Sequence, residues 1–124
     1  MRRTFLTLAL VTSFAWPLTK THAQNQRALW GSINGTKNAS LGDYQRHTGK
    51  VLISWRMLPS DNAQTAFDLY RRTGNSSTET KIASNIQGST NWQDTTADKT
   101  QDNHYRLTYA GETATLATYT LPAA

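Results

Sequence analysis

Cysteine is absent from the 124 residues. That excludes disulfides, thiolate zinc sites, a cysteine nucleophile and a lipid-bearing cysteine. Charge is sparse at 17%, and proline occurs only three times. No apolar run reaches the roughly 20 residues a membrane-spanning helix needs. Length excludes more: one domain of about 100–150 residues fits, whereas four propeller blades of about 40 residues each do not. What fills the chain instead is Thr, Asn, Ser and Gln, a composition of strands and turns rather than helices.

The first segment has a different character. Met1-Arg2-Arg3 is basic, Thr4 to Pro17 is mostly apolar, and Thr21-His22-Ala23 ends in small residues. This is the layout of a secretory signal peptide over residues 1–23, with cleavage after Ala23. The paired arginines also fit a twin-arginine signal, which ranks second to an ordinary one. Cleavage removes Arg2, Arg3 and Lys20 and lowers the formal charge from +5 to +2. The remaining basic residues are scattered, apart from Arg71-Arg72, so no stripe exists to neutralise a phosphate backbone. The expected product is exported to the periplasm, cell surface or medium. It is not expected to bind nucleic acid, nor a membrane after cleavage.

Residues 24–48 are polar and rich in Gly and Asn, and read as a lead-in or linker with room for one short edge strand. Residues 49–122 carry the strand signals. Val51, Ile53, Trp55 and Met57 alternate onto one face. Phe67 and Leu69 do the same in the next segment, with Asp68 and Tyr70 opposite. Glu79 to Ile82, Ile86, and Thr90 to Thr95 supply shorter segments. Tyr105, Leu107 and Tyr109 alternate in a later one, and Ala114 to Leu121 closes the series. Each strand offers apolar residues to one face, so two sheets must close on each other. The expected fold is all-β, an antiparallel β-sandwich. Its expected core is Val51, Ile53, Trp55, Phe67, Leu69, Tyr105 and Leu107, each contributing about 1.5–3 kcal/mol before chain entropy is subtracted.

Catalytic signals are thin. Histidine beyond the leader is limited to His47 and His104, and His104 shares a face with Arg106 and Thr108, as a solvated strand position would. Abundant Ser and Thr make chance Ser–His–Asp spacings unavoidable. Asp94, Asp98 and Asp102 recur every fourth residue. Their spacing matches no EF-hand, and turn-favouring Asp explains them without an ion. Trp30 and Trp92 are the candidate carbohydrate-binding residues, because an exposed indole stacks on a sugar face. Packing at a strand end for Trp92, and a lead-in clamp for Trp30, explain them without a ligand and are the favoured readings.

Ile53-Ser54-Trp55, Phe67-Asp68-Leu69-Tyr70-Arg71 and Tyr105-Arg106-Leu107 resemble the second, third and sixth strands of a fibronectin type III domain, within the immunoglobulin-like class. Tyr105 would then be the corner tyrosine, its hydroxyl on a backbone group. A narrower resemblance covers about Gly49 to Leu121. The run from Gly49 to Leu58, then Phe67 to Arg71, then Thr90-Asn91-Trp92-Gln93-Asp94, is similar to the N-terminal β-sheet domain of bacterial rhamnogalacturonan lyases of polysaccharide lyase family 11. In that family a following calcium-dependent β-propeller cleaves the pectin backbone by β-elimination. The resemblance therefore implies a non-catalytic domain partnered by a catalytic propeller, with pectic polysaccharide as a further possible partner. It implies no cofactor here and calcium only in the propeller. No catalytic or metal residue carries over, because no position matches one. The chain stops at Ala124, where such a propeller would begin, so the resemblance implies a truncated lyase or a freestanding copy of its first domain. A freestanding carbohydrate-binding or adhesion module is the alternative. The Asn-x-Ser/Thr matches at Asn34, Asn38 and Asn75 matter only in a eukaryotic secretory pathway, and the resemblance points to bacteria.

Overall fold

The computed structural model describes residues 27–38 and 43–124. The leader expected over residues 1–23 lies outside them. Seven strands follow in order: β1 (Leu29–Asn38), β2 (Asp43–Trp55), β3 (Ala66–Thr73), β4 (Thr80–Gln87), β5 (Asn91–Asp94), β6 (Asn103–Tyr109) and β7 (Ala117–Leu121). They form a three-stranded sheet, β1-β2-β5, and a four-stranded sheet, β4-β3-β6-β7, with every pairing antiparallel. This is the all-β antiparallel sandwich the alternation predicts, of the fibronectin type III-like kind the resemblance implies.

The core forms where residues on the inner faces interlock. Val51, Ile53 and Trp55 project from β2, Phe67 and Leu69 from β3, and Tyr105 and Leu107 from β6, all essentially inaccessible to water. Trp55 meets Phe67 edge-on at 5.5 Å, and Phe67 stacks on Tyr109 at 5.7 Å. Both geometries suit aromatic quadrupoles.

Three differences from the sequence reading have physical causes. First, the stretch read as a lead-in contains β1, a ten-residue edge strand paired along β2. Its inward positions are Leu29, Gly31 and Ile33, and the glycine interrupts the apolar alternation that marks a strand. Gly31 is needed there: a Cβ would stand 2.8 Å from Ile53 Cδ1 and 3.0 Å from Tyr119 Cε2. The Tyr119 hydroxyl donates to Gly31 O across the same flank, so β1 and β7 close one side of the sandwich.

Second, Met57 does not continue the inward face of β2. The strand ends at Trp55, whose N–H turns to Thr90 O at 2.9 Å, and Met57 is 42% exposed. Third, the Tyr105 ring is in the core as expected, but its hydroxyl donates to the Asp94 carboxylate at 2.8 Å rather than to a backbone group. Asp94 pairs in register with the inward Val51, which aims its carboxylate between the sheets.

Asp68 faces away from Phe67 as expected, yet it is buried too. Its carboxylate accepts from Asn85 N and Gly111 N. Asn85 (φ 56°) and Gly111 (φ 79°) both hold left-handed backbone, which Asn and Gly tolerate best. One carboxylate thus ties the irregular part of β4 to the turn after β6.

Candidate functional site

The polar interior is built from two Arg–Asp–Tyr groups, one near each end of β6. At one end Arg71 Nη1 donates to both Asp94 oxygens, at 2.8 and 2.6 Å, and to Thr96 Oγ1. Asp94 also accepts from Tyr105 and from Thr96 N and Oγ1. Burial pushes its carboxyl up, and these hydrogen bonds with the Arg71 charge more than offset that, holding it below its ordinary 3.8. Burial, then the charge and hydrogen bond of Asp94, hold the Tyr105 phenol far above its usual range, so it stays a donor.

At the other end Arg27 Nη1 reaches Asp61 at 2.7 Å and Arg56 O at 2.6 Å, while Nη2 reaches the Tyr109 hydroxyl at 2.9 Å. Tyr109 donates onward to Asp61, and so does Leu58 N. The Arg27 guanidinium lies 5.1 Å from the Phe67 ring centroid. Desolvation raises the Asp61 carboxyl, and the bonds from Arg27, Leu58 and Tyr109 bring it below its ordinary value. Both groups are closed: each carboxylate is saturated with donors, so neither is a free base for catalysis.

The aspartates read as an every-fourth-residue series do not converge. Asp94 binds Arg71, Asp98 accepts from Thr100 and Gln101, and Asp102 accepts from Ala123 N. Among the described residues no group of three or more His, Asp or Glu is placed to hold a metal ion.

The two candidate tryptophans are both exposed, Trp30 at 47% and Trp92 at 39%. The register separates them. Trp30 pairs with Ser54, on the outer face of the three-stranded sheet, whereas Trp92 pairs with Ile53, on the inner face. They cannot form one stacking platform. Trp92 points inward from edge strand β5 yet remains accessible, so this flank is open where the β1–β7 flank is closed. Beside it, Met57, Thr65, Thr90 and Asn91 line a shallow cleft of about 440 Å³.

The strand pattern gives no hint that basic residues would group, but the register groups them. On the outer face of the four-stranded sheet, Arg72 pairs with His104 and His104 with Thr120; Tyr70 pairs with Arg106 and Arg106 with Thr118. Arg106 forms a fork with Glu79 at 2.7 and 2.9 Å and covers the Tyr70 ring at 4.4 Å. The His104 Nδ1 lies 2.9 Å from Thr120 Oγ1. The side chain of His47 lies outside the described residues. The cue in the sequence was the outward alternation of Tyr70 with Arg72 and of His104 with Arg106; what it lacked was which strands are neighbours.

Residues 44–119 match the family described as the rhamnogalacturonan I lyases beta-sheet domain. The chain belongs to that family. No curated protein and no solved structure matches it. The matched span of this rhamnogalacturonan I lyase β-sheet domain opens within β2 and closes within β7. Arg27 and all of β1, which seal one end and one flank of the core, lie outside it.

Proposed function

We propose that this chain is the exported, non-catalytic accessory domain of a rhamnogalacturonan I lyase, and that it supports a pectin-degrading β-propeller by packing against it. The observation that carries this reading is the open β5 flank. Trp92 projects from the inner side of an edge strand into solvent, and Met57 is exposed beside the same strand. Large apolar side chains left accessible at an open sheet edge are what a domain interface covers. The donor-saturated carboxylates of the two Arg–Asp–Tyr groups support a structural rather than a chemical role for the interior. Any calcium belongs to the propeller, and export rests on the leader at residues 1–23.

The test is association between the purified chain and a separately produced β-propeller of a rhamnogalacturonan I lyase, followed by analytical ultracentrifugation. Association weakened about tenfold or more by Trp92→Ala with Met57→Ala, at unchanged melting temperature, supports the reading. Release of unsaturated oligosaccharides from rhamnogalacturonan I by the chain alone would overturn the non-catalytic half. Absence of association, with retention on a pectin gel that Trp92→Ala abolishes, would favour the freestanding glycan-binding module instead.

A further inference from the structure

We infer that the open part of the outer face of the four-stranded sheet binds a carboxylate-bearing saccharide, with Arg72 taking the carboxylate. The choice of saccharide rests on the family reading above; the site itself rests on the geometry of this face.

Arg27, Arg71 and Arg106 each face a carboxylate at 2.6–2.7 Å. Arg72 has no such partner among the described residues. Its Nη1 donates instead to two carbonyls of the β3–β4 turn, Gly74 O at 3.0 Å and Ser76 O at 3.2 Å. Those bonds orient the guanidinium; the Glu79 carboxylate feels its charge across the same hollow but forks with Arg106, and the rest of the Arg72 fork stays available for a planar anion. The neighbouring acids are committed elsewhere: Glu79 to Arg106, and Asp102 to Ala123 N.

Around Arg72 the sheet supplies a surface suited to hydroxyl groups. A hollow of about 300 Å³ is lined by Arg72, Glu79, His104, Arg106, Thr118 and Thr120, with the Glu79 carboxylate held in the Arg106 fork. A second, of about 460 Å³, shares Arg72 and His104 and adds Asn75, Gln101 and Asp102, whose carboxylate accepts from Ala123 N. The two hollows share Arg72 and His104 and so adjoin along this end of the face. Tyr70 is already covered by Arg106 at 4.4 Å and approached by Lys81 at 5.6 Å. No bare ring is offered for stacking there, so recognition here works by charge and hydrogen bonds. Acidic glycans should bind in preference to neutral ones, and salt should weaken binding.

The experiment is an NMR titration of the purified chain with acidic rhamnogalacturonan I oligosaccharides, and with neutral galactan oligosaccharides, at low and high salt. The expected result is binding of the acidic series alone, with amide shifts confined to Arg72, His104, Arg106, Thr118 and Thr120. Affinity should fall about fivefold or more in Arg72→Ala and about twofold in Thr118→Val. The second variant leaves the β3–β4 turn untouched, so it tests the site even if Arg72→Ala loosens that turn. Equal binding of neutral sugars, shifts centred on Trp30 or Trp92, or no shift up to about 10 mM saccharide would overturn the inference. Propeller association is measured without sugar, so failure of either proposal is read separately.

Discussion

Replacing Tyr105 by Phe isolates a single hydroxyl in the middle of the fold. The ring keeps its place and only one hydrogen bond is lost, the 2.8 Å bond to Asp94 Oδ2. Hydrogen bonds to charged groups contribute about 1.5–3 kcal/mol each. The carboxylate is not orphaned, because Arg71 and Thr96 still donate to it, so the lower part of that range applies, about 1.5 kcal/mol. In a domain of this size each kcal/mol moves the melting temperature by about 4–8 °C, which predicts a fall of roughly 6–12 °C. Asp94→Ala is a harsher change. It strips Arg71 and Tyr105 of their shared acceptor in a site where the carboxylate side chain is 2% exposed, and should cost about 3–5 kcal/mol. Urea unfolding followed by tryptophan fluorescence measures both, since Trp55 is buried in the same core. A cost below about 0.5 kcal/mol for Tyr105→Phe, or an Asp94→Ala cost no larger than that of Tyr105→Phe, would refute the claim that this carboxylate joins the two sheets.

Three further outcomes follow from the same contacts. Asp61, Asp68 and Asp94 all sit below their ordinary 3.8 in the folded chain. The unfolded chain therefore takes up these protons first, so their contribution is complete above about pH 4 and is lost as pH falls below it; urea midpoints that stay level down to about pH 2 would contradict this. Gly31→Ala should destabilise by about 1–3 kcal/mol through overpacking against Ile53 and Tyr119, read as a lowered urea midpoint; an unchanged midpoint would mean the β1–β7 flank is slack. Arg27→Ala should cost about 3–5 kcal/mol by leaving the Asp61 carboxylate buried without its cation, and calorimetry showing no loss would exclude Arg27 from the core.

The inner faces of β2, β3 and β6 were legible because each presents large apolar residues at strict two-residue spacing and no other arrangement buries them. β1 was not, since one of its three inward positions is a glycine and the surrounding residues are polar. Arg27 was invisible for another reason: arginine is almost never fully buried unless paired, and its partner Asp61 lies 34 positions away in a loop. Met57 shows the limit of alternation, which marks a face but not the residue at which the chain leaves the sheet. The Arg72–His104–Thr120 row shows the converse. Each residue's side of its own strand was readable, whereas their adjacency depends on β3, β6 and β7 being neighbours, which sequence periodicity does not encode.

One buried ion pair lies near each end of β6, and this placement bears on the alignment of the sheets. Replacing a buried pair by well-packed apolar residues is often neutral or stabilising, so the pairs do not explain themselves as stability. What apolar residues cannot supply is direction. Tyr105 and Tyr109 project from the same face of β6, and each hydroxyl meets an aspartate held by an arginine from a different part of the chain. A sheet shifted by one residue would turn these tyrosines outward and strip each buried carboxylate of its phenol donor. The pairs therefore select one alignment of the two sheets. That alignment sets where Trp92 stands at the open flank and which residues flank Arg72 on the outer face. The two proposals above assign these two surfaces to a propeller and to a saccharide, and the polar contacts between the sheets hold the surfaces at a constant relation.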